Sequence, residues 1–590
     1  MKKYTIQELT ALQTELYDIL GEVTRICHKH NIPYFAIGGT AIGALYDQGI
    51  LPWDDDIDIG MTRENYNRFL SIAPQELGKD YFLSWQGTDP HTPYYFAKVK
   101  KQATLFVEQL FKDVPMHQGI FVDIFPFDRI PDNKILRKLQ YHTVNFLKCC
   151  LMGKEAWMWK HFGKCQIDNP TNRPLLSCLL NRMINDLLPK STIYNLMVKA
   201  QSCFNSWNTR YFNNVITKTD HVLETSIKNL QNSPFGPLTI TVPQLLEDFL
   251  RYNYPNLHRF TEEEQETVNN HYPAAMSLSH ETEPSTGNLS PIALFVYNRL
   301  DNTQITIEHL KRNIFAPQSI LYIFSDGGKD EESWKQVQNV RDYLHTITGF
   351  KEIHIIERPV NYYLERNIIE GIAYVLDRHN TIIVLEDDIC TSPVFLKYMN
   401  EALDKYAAVP EVMHIAGFTN LDIPEKGDTY FTPHMTGWGW ATWKNRWNHF
   451  THFQTREEAL RGLSDFDKNK MEYNGNFTCL KSLDRNPIPW DICWEICIYK
   501  QKGLCLHPTH TLVKNVGINN GTHFSASKLF GWYEYDRPYR NTPISLEDIP
   551  IKEDNHIEEL YSKALKDHGM RYNLFGQIIR YVYKLLIKSK

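Results

Sequence analysis

Two folds of different class are predicted along this chain of 590 residues: an α+β module, then an α/β domain on a parallel, Rossmann-like sheet. Three observations predict them. The length exceeds what one hydrophobic core usually organises, since domains run to roughly 50–250 residues. From about 259 to 289 the chain turns polar and acidic, "TEEEQETVNNHYPAAMSLSHETEPSTGNL", a linker composition. Beyond it, apolar runs of strand type alternate with helical patterns, which implies βαβ units. The expected partition is 1–258, a linker at 259–289, a second domain at 290–545 and a helical basic tail at 546–590.

The first module opens with Leu9, Leu12, Leu16, Ile19, Leu20, Val23 and Ile26 on one helical face. "PYFAIGG" then reads as a short buried strand ending at Gly38 and Gly39, followed by a short helix in "TAIGALYDQG" and an acidic strand in "LPWDDDIDIG". Further strands are expected in "YYFAKVK" and "GIFVDIFPFD", and helix through most of 134–205. In the second domain the strands are "PIALFVYN", "SILYIFSDG", "KEIHIIER" and "TIIVLED", separated by helices at 303–314, 331–347 and 365–378. No repeat relates the halves, so they are two folds rather than a duplication.

Composition narrows the function. Apolar residues make up 42% and charged residues 22%, an ordinary soluble balance, and the net charge of -6 offers no global basic field for nucleic acid. The eleven cysteines lack a repeated spacing, which points to reduced thiols. Cys493, Cys497 and Cys505 read as packing rather than a zinc site. No apolar h-region opens the chain and no run reaches the ~20 apolar residues of a spanning helix, so a cytoplasmic protein is expected.

The chemistry concentrates in two acidic clusters. In "LPWDDDIDIG", strand alternation would point Asp54, Asp56 and Asp58 to one face and leave Asp55 on the other. Carboxylates resist such crowding unless a cation or a catalytic duty holds them together. Converging oxygens suit Mg²⁺ or Mn²⁺, which neutralise phosphate in phosphoryl chemistry. Gly38 and Gly39, some 15 residues upstream, would let the backbone approach a phosphate.

These motifs, with "YYFAKVKKQATLF" and "GIFVDIFPFD", resemble the LicD family of phosphocholine-type transferases, relatives of fukutin in the nucleotidyltransferase superfamily, over roughly residues 10–257. The resemblance implies an α+β nucleotidyltransferase-like fold. It makes Asp56 and Asp58 the principal metal ligands, with Asp54 close by and Asp123 a third carboxylate from a neighbouring strand. It matches Lys98 and Thr104 to a phosphate-side element. The implied reaction moves a phospho-alcohol from a CDP-activated donor to a glycan hydroxyl, with CMP leaving. "FLRYNYPNLH" only approximates the family's closing "YG-D-Y" element.

The second cluster, Glu386, Asp387 and Asp388 in "IIVLEDDI", closes an apolar strand where open α/β sheets bind ligands. Arg299 and Asp326 end two earlier strands and face the same crevice. This pattern resembles a GT-A glycosyltransferase, in particular inverting N-acetylglucosaminyltransferases and bacterial sugar transferases, over about 290–525. The resemblance implies that Arg299 and Asp326 contact the nucleotide, with Glu386 beside them, that Asp387 contacts the nucleotide-sugar and that Asp388 holds the divalent metal. It also matches "TGWGWATWKNRW" to an acceptor-side loop and "PWDICWEICI" to the segment carrying the catalytic base. Asp491 is the expected base, with Glu495 its competitor. Trp438, Trp440, Trp443 and Trp447 read equally as sugar platforms or as core. His523 is read as closing over the diphosphate, or as a plain surface histidine.

Residues 574–590, "LFGQIIRYVYKLLIKSK", form a basic amphipathic pattern suited to a membrane interface or to docking on the protein itself. A second, weaker candidate is 134–152. Either would serve an acceptor carried on a lipid, at the inner face of the cytoplasmic membrane. The whole chain therefore reads as a bifunctional enzyme of bacterial surface-polysaccharide or lipopolysaccharide synthesis, with a CDP-alcohol donor, a nucleotide-sugar donor, a glycan acceptor and Mg²⁺ or Mn²⁺ at each site. The alternatives are a polyol-phosphate transferase joined to a glycosyltransferase, or a glycan-binding scaffold with one active site.

Overall fold

The computed structural model describes residues 3–112, 114–153, 188–214, 221–267, 271–278, 289–419, 423, 427–476, 479–517 and 539–571. The chain forms two compact units, Met1–Glu281 and Thr282–Lys590. Residues 154–187 of the expected helical stretch, His523 and the basic segment 574–590 lie outside the described residues.

The first unit opens with the helix Ile6–Lys29. Its start is fixed by a reciprocal cap, Thr5 Oγ1 accepting from Glu8 N at 3.1 Å and Glu8 Oε2 accepting from Thr5 N at 2.8 Å. The face carrying Leu12, Leu16, Ile19, Leu20, Val23 and Ile26 is buried against a mixed sheet. The strands are β1 (Phe35–Ala36), β2 (Asp58–Thr62), β3 (Tyr81–Ser84), β4 (Ala97–Lys101), β5 (Leu105–Val107), β6 (Phe121–Ile130), β7 (Tyr211–Asn213), β8 (Val222–Leu223), β9 (Leu230–Phe235), β10 (Leu238–Pro243) and β11 (Ala275–Ser277). The central order is β1-β2-β6-β4-β3, with β7 and β8 added beside β6. Strands β2 and β6 run parallel and β4 lies antiparallel to β6, so Asp58, Asp123 and Lys98 are register neighbours across three strands.

Two expectations are corrected here. The acidic segment is not a strand up to Ile57, because β2 begins only at Asp58. Residues 51–57 form a turn and loop instead, with Asp54 N donating to Leu51 O at 2.9 Å and Gln13 Nε2 donating to the carbonyls of Leu51 and Asp54, both at 3.0 Å. The long first helix thus ties the loop down. The polar stretch 259–289 is also not linker throughout. It contains the helix Glu262–Thr267, and β11 pairs antiparallel with β5.

The second unit carries β12 (Ile292–Val296), β13 (Ile320–Ser325), β14 (Glu352–Glu357), β15 (Thr381–Glu386), β16 (Ile389–Thr391), β17 (Val412–Ala416), β18 (Thr429–Thr432), β19 (Trp440–Trp443), β20 (Leu504–Pro508) and β21 (Val513–Asn515). Eight of them form one sheet in the order β14-β13-β12-β15-β19-β17-β20-β18, and β16 pairs with β21 separately. Strands β12 to β15 are parallel, joined by the helices Leu300–Lys311, Glu331–Leu344 and Tyr363–Leu376; the apolar runs of β12, β13 and β15 suit burial on both faces, whereas β14 is the partly exposed edge. The parallel pairing expected of these four strands is present, and beyond them β19 enters antiparallel to β15, so the sheet as a whole is mixed. Part of the expected helical tail is described, as far as 571. The helix Asn555–Arg571 places Ile557 and Tyr561 in a cluster with Ile423 and Tyr430.

One buried ion pair holds the site-bearing strand β6 in place. Asp128 is fully buried; it receives Arg63 Nε at 3.0 Å, Arg63 Nη2 at 2.5 Å and Asn205 Nδ2 at 2.7 Å. Removing one partner strands the other's charge, at a cost of about 3–5 kcal/mol. Asp128→Ala in the full-length protein is expected to move the first unit's urea transition to lower denaturant by that amount. An unchanged midpoint would show that the pair adds no stability.

Candidate functional site

In the first unit, the helix Gly38–Tyr46 starts without a side-chain cap, and its first residues approach the acids closely. Gly38 has φ +53°, a left-handed conformation that favours glycine. A Cβ at Gly39 would lie 2.4 Å from Asp54 Oδ2, so only glycine lets the helix come this near. Thr40 Oγ1 accepts from Asp58 N at 2.8 Å, which locks the helix start to β2. The amino end of a helix carries partial positive charge and suits an anion.

Asp58 and Asp123 stand side by side on β2 and β6, with Lys98 next on β4. Lys98 Nζ lies 3.0 Å from Asp123 Oδ1 and 3.8 Å from Glu108 Oε2, between the rings of Tyr94 and Phe121. Burial, then repulsion from Asp56 and Asp55, pushes Asp54 up to about 8. Burial raises Asp58 well above the ordinary carboxylate range, with Asp56, Asp123 and Asp54 adding to it. Burial also lifts Asp123 to about 7 against the opposing pull of Lys98. Asp56 is raised by burial and by Asp55. Such mutual repulsion is what a bound cation relieves, and carboxylate oxygens are the donors that Mg²⁺ and Mn²⁺ take, so the residues present fit the expected ion.

The structure thus brings Gly38, Gly39, Asp54, Asp56, Asp58, Asp123 and Lys98 together, although a folded loop rather than strand alternation gathers the acids. Two residues have partners of their own. Thr104 is engaged within the protein: its buried hydroxyl accepts from Ile120 N at 3.0 Å and donates to Lys101 O at 2.9 Å. Asp55, expected on the other face, is likewise engaged. It is buried, accepts from Tyr4 OH at 2.8 Å and faces His271, whose Nδ1 lies 3.8 Å from its Oδ1. His271 and Tyr4 were missed because one sits in a polar stretch and the other in a terminal segment, neither with any periodic signal.

In the second unit, Arg299 follows β12, Asp326 follows β13, and Glu386, Asp387 and Asp388 close β15. The Arg299 guanidinium spans two of these acids, Nη2 bonding Asp387 and Nη1 lying 3.0 Å from Asp388 Oδ2. The main chain is pinned at the same place: Thr306 Oγ1 donates to Asp387 O at 2.9 Å and Val516 N to Asp388 O at 2.8 Å. A Cβ at Gly517 would come within 2.2 Å of Asp388 Oδ2, which makes that residue part of the site's wall. Burial lifts Glu386 to about 8, with Asp388, Asp387 and Asp491 adding repulsion. Burial also lifts Asp387 to about 6, with Arg299 opposing. Asp326 is buried, and one oxygen ties two loops together by accepting from Gly327 N at 2.9 Å and Tyr362 N at 2.7 Å.

Asp491 lies in the first turn of the helix Trp490–Lys500, close enough for its charge to act on Glu386. Asp491 keeps an exposed edge, yet partial desolvation by the protein around its carboxylate raises its pKa, and Glu495 adds repulsion. Glu495 is engaged elsewhere, 3.0 Å from His434 Nδ1, which separates the two candidate bases. Trp440, Trp443 and Trp447 are buried core, whereas Trp438 is half-buried against Phe418, with ring centroids 4.5 Å apart. His434, missed in the sequence, stacks on Tyr473 at 4.0 Å and links to the hydroxyl of Tyr499 at 3.3 Å.

Two transferase domains are thereby defined: residues 31–160 match the family described as LicD/FKTN/FKRP, nucleotidyltransferase domain, and residues 292–465 match Glycosyl transferase family 2. The chain therefore carries a LicD domain and a GT-A-type glycosyltransferase domain. Among curated proteins it is 26% identical over 239 residues to the lipopolysaccharide cholinephosphotransferase LicD of Haemophilus influenzae, covering 37% of this chain and 83% of that one. It is 26% identical over 238 residues to an uncharacterized protein of Rickettsia typhi, covering 40% of this chain and 64% of the relative. Among solved structures, the mannosyltransferase PcManGT from Pyrobaculum calidifontis, in complex with GDP-Man and Mn²⁺, aligns with a TM-score of 0.24 at 10% identity, covering 37% of this chain and 71% of that one.

The raised carboxylates set a pH dependence. Because Asp54 and Asp123 move from 3.8 to about 8 and about 7, the folded state holds more protons than the unfolded one between about pH 4 and 8. Stability contributed by these groups therefore falls as pH rises through that window. Without divalent ions the first unit's melting temperature is expected to drop from pH 5 to pH 8, and added Mn²⁺ to restore it most at pH 8. A Mn²⁺ effect equal at both pH values would count against a cation on these acids.

Proposed function

We propose that the first domain transfers a phospho-alcohol of the phosphocholine type from a CDP-activated donor to a glycan hydroxyl, and that the second transfers a sugar from a nucleotide-sugar. The observation that carries this reading is the presence of two separate carboxylate clusters, one on a loop and the paired strands β2 and β6, the other at the end of β15, faced respectively by Lys98 and Arg299. In the first domain Asp54, Asp56 and Asp58, with Asp123 beside them, would hold Mg²⁺ or Mn²⁺, and Asp388 with its neighbours would do so in the second. Such an ion neutralises phosphate oxygens and the departing nucleotide.

The chain's own groups do the rest. In the first domain the acceptor hydroxyl oxygen forms a bond to phosphorus as the bond to CMP breaks. The Gly38–Gly39 helix end and Lys98 favour the negative charge at that phosphate. In the second domain Asp491 takes the acceptor's proton as its oxygen displaces the nucleoside diphosphate at the anomeric carbon. Trp438, half-buried, offers a ring face to a sugar. Among the described residues no helix is long and apolar enough to cross a membrane. A peripheral position on the inner face of the cytoplasmic membrane, through 574–590, belongs to this proposal, as does a lipid-linked acceptor in surface-glycan synthesis.

Purified protein incubated with CDP-choline or CDP-ribitol, a panel of nucleotide-sugars and Mn²⁺ should release both CMP and a nucleoside diphosphate. Asp56→Asn and Asp58→Asn are expected to abolish CMP release alone, and Asp388→Asn sugar transfer alone. Loss of both activities from any one of these changes refutes the two-site reading.

Asp491→Asn should lower sugar transfer by about 10²–10⁴-fold. In the unsubstituted enzyme the rate should fall as pH drops through a value above the ordinary carboxylate range, because the base works only when ionised and its pKa is raised. A flat acidic limb would assign the base elsewhere.

A further inference from the structure

The first site has a rim that neither of its acidic strands supplies. After the helix Glu262–Thr267 the chain returns, and β11 pairs with β5 in the register Ala275↔Val107, Met276↔Phe106, Ser277↔Leu105. Just ahead of that pairing, Tyr272 packs its ring on Tyr4 at 4.8 Å between centroids and donates its hydroxyl to Glu8 at 3.3 Å. These contacts hold the preceding residue, His271, over the acids. Its ligand nitrogen and one oxygen each of Asp55 and Asp56 lie within 4.8 Å of one another. The three ligands come from segments 215 residues apart in sequence, and the residue that follows the histidine is anchored.

We propose that His271, Asp55 and Asp56 form a mixed imidazole–carboxylate position for a first-row transition-metal ion such as Mn²⁺, beside the oxygen-only ligands Asp54 and Asp58. This rests on the reading of the cluster as a cation site. Two carboxylate oxygens and one imidazole nitrogen favour such an ion over Mg²⁺, which prefers oxygen ligands and gives up its water reluctantly. The His271 side chain is 82% exposed, so the position opens to solvent and leaves the ion a path of entry. Asp55 is held by Tyr4, whose hydroxyl donates to one oxygen and leaves the other toward His271. Tyr4 thus orients one ligand, as outer hydrogen-bond partners of metal ligands commonly do. The position would make the ion preference of phospho-alcohol transfer depend on a residue from the chain leading into the second unit.

The test uses full-length protein carrying Asp388→Asn, which removes the proposed metal ligand of the second domain, loaded with Mn²⁺ and examined by pulsed electron paramagnetic resonance. The expected result is nitrogen modulation from a coordinated imidazole, lost when His271→Ala is added. Bound Mn²⁺ without nitrogen modulation overturns this proposal alone and leaves His271 as an ion-pair partner of Asp55. Modulation that survives His271→Ala overturns it equally. If Asp56→Asn in the same background leaves the number of bound Mn²⁺ ions unchanged, the first domain's cation reading falls, and this proposal with it.

Discussion

Repulsion among carboxylates is the constraint around which the first unit is built. Asp58 and Asp123 are forced side by side by the parallel pairing of β2 with β6, and no rotamer can separate register neighbours on one sheet face. The fold therefore spends binding elsewhere to keep those strands where they are. Arg63 closes a buried fork on Asp128 of β6, and Gln13 clamps the loop that delivers Asp54. Thr104, expected at the substrate, belongs to the same bracing, since its hydroxyl links Ile120 just before β6 to Lys101 of β4.

The second unit meets the same constraint with a different counter-charge. Lys98 is sunk between aromatic rings and addresses mainly one acid, whereas Arg299 lies astride Asp387 and Asp388 and is partly open. A planar guanidinium with several donors can keep one carboxylate while yielding the other to a ligand, which a single ammonium cannot do as easily. The pinned carbonyls of Asp387 and Asp388 then keep the acidic turn fixed whatever Arg299 does. Glu386 is lifted to about 8, first by burial and then by repulsion from Asp388, Asp387 and Asp491.

Much of this was legible in the sequence wherever burial dictates pattern. Strands β12, β13 and β15 are near-continuous buried apolar runs, so their ends, and with them Arg299, Asp326 and Asp387, could be read directly. The acids of the first site were legible as residues but not as geometry, because a loop tied by Gln13 carries no period. The antiparallel entry of β19 could not be read either, since four buried residues such as "WATW" pattern alike in both directions. Glu495, one helical turn from Asp491, stood as its competitor in the sequence, where nothing shows that His434, 61 residues upstream, occupies it.

The polar stretch before the second unit shows why composition misled most there. A segment poor in aliphatic residues cannot make its own core, and on that ground it reads as linker. Ordering can come instead from backbone hydrogen bonds to an exposed strand edge, which are indifferent to side-chain type. Strand β5 offers that edge, and β11 takes it with the small residues Ala275 and Ser277 around Met276. Once the backbone is fixed in this way, the segment's polar side chains are free to serve the neighbouring acids, and a histidine there costs the fold nothing. The polarity that marked the segment as a connector is therefore the property that suits it to wall a charged site.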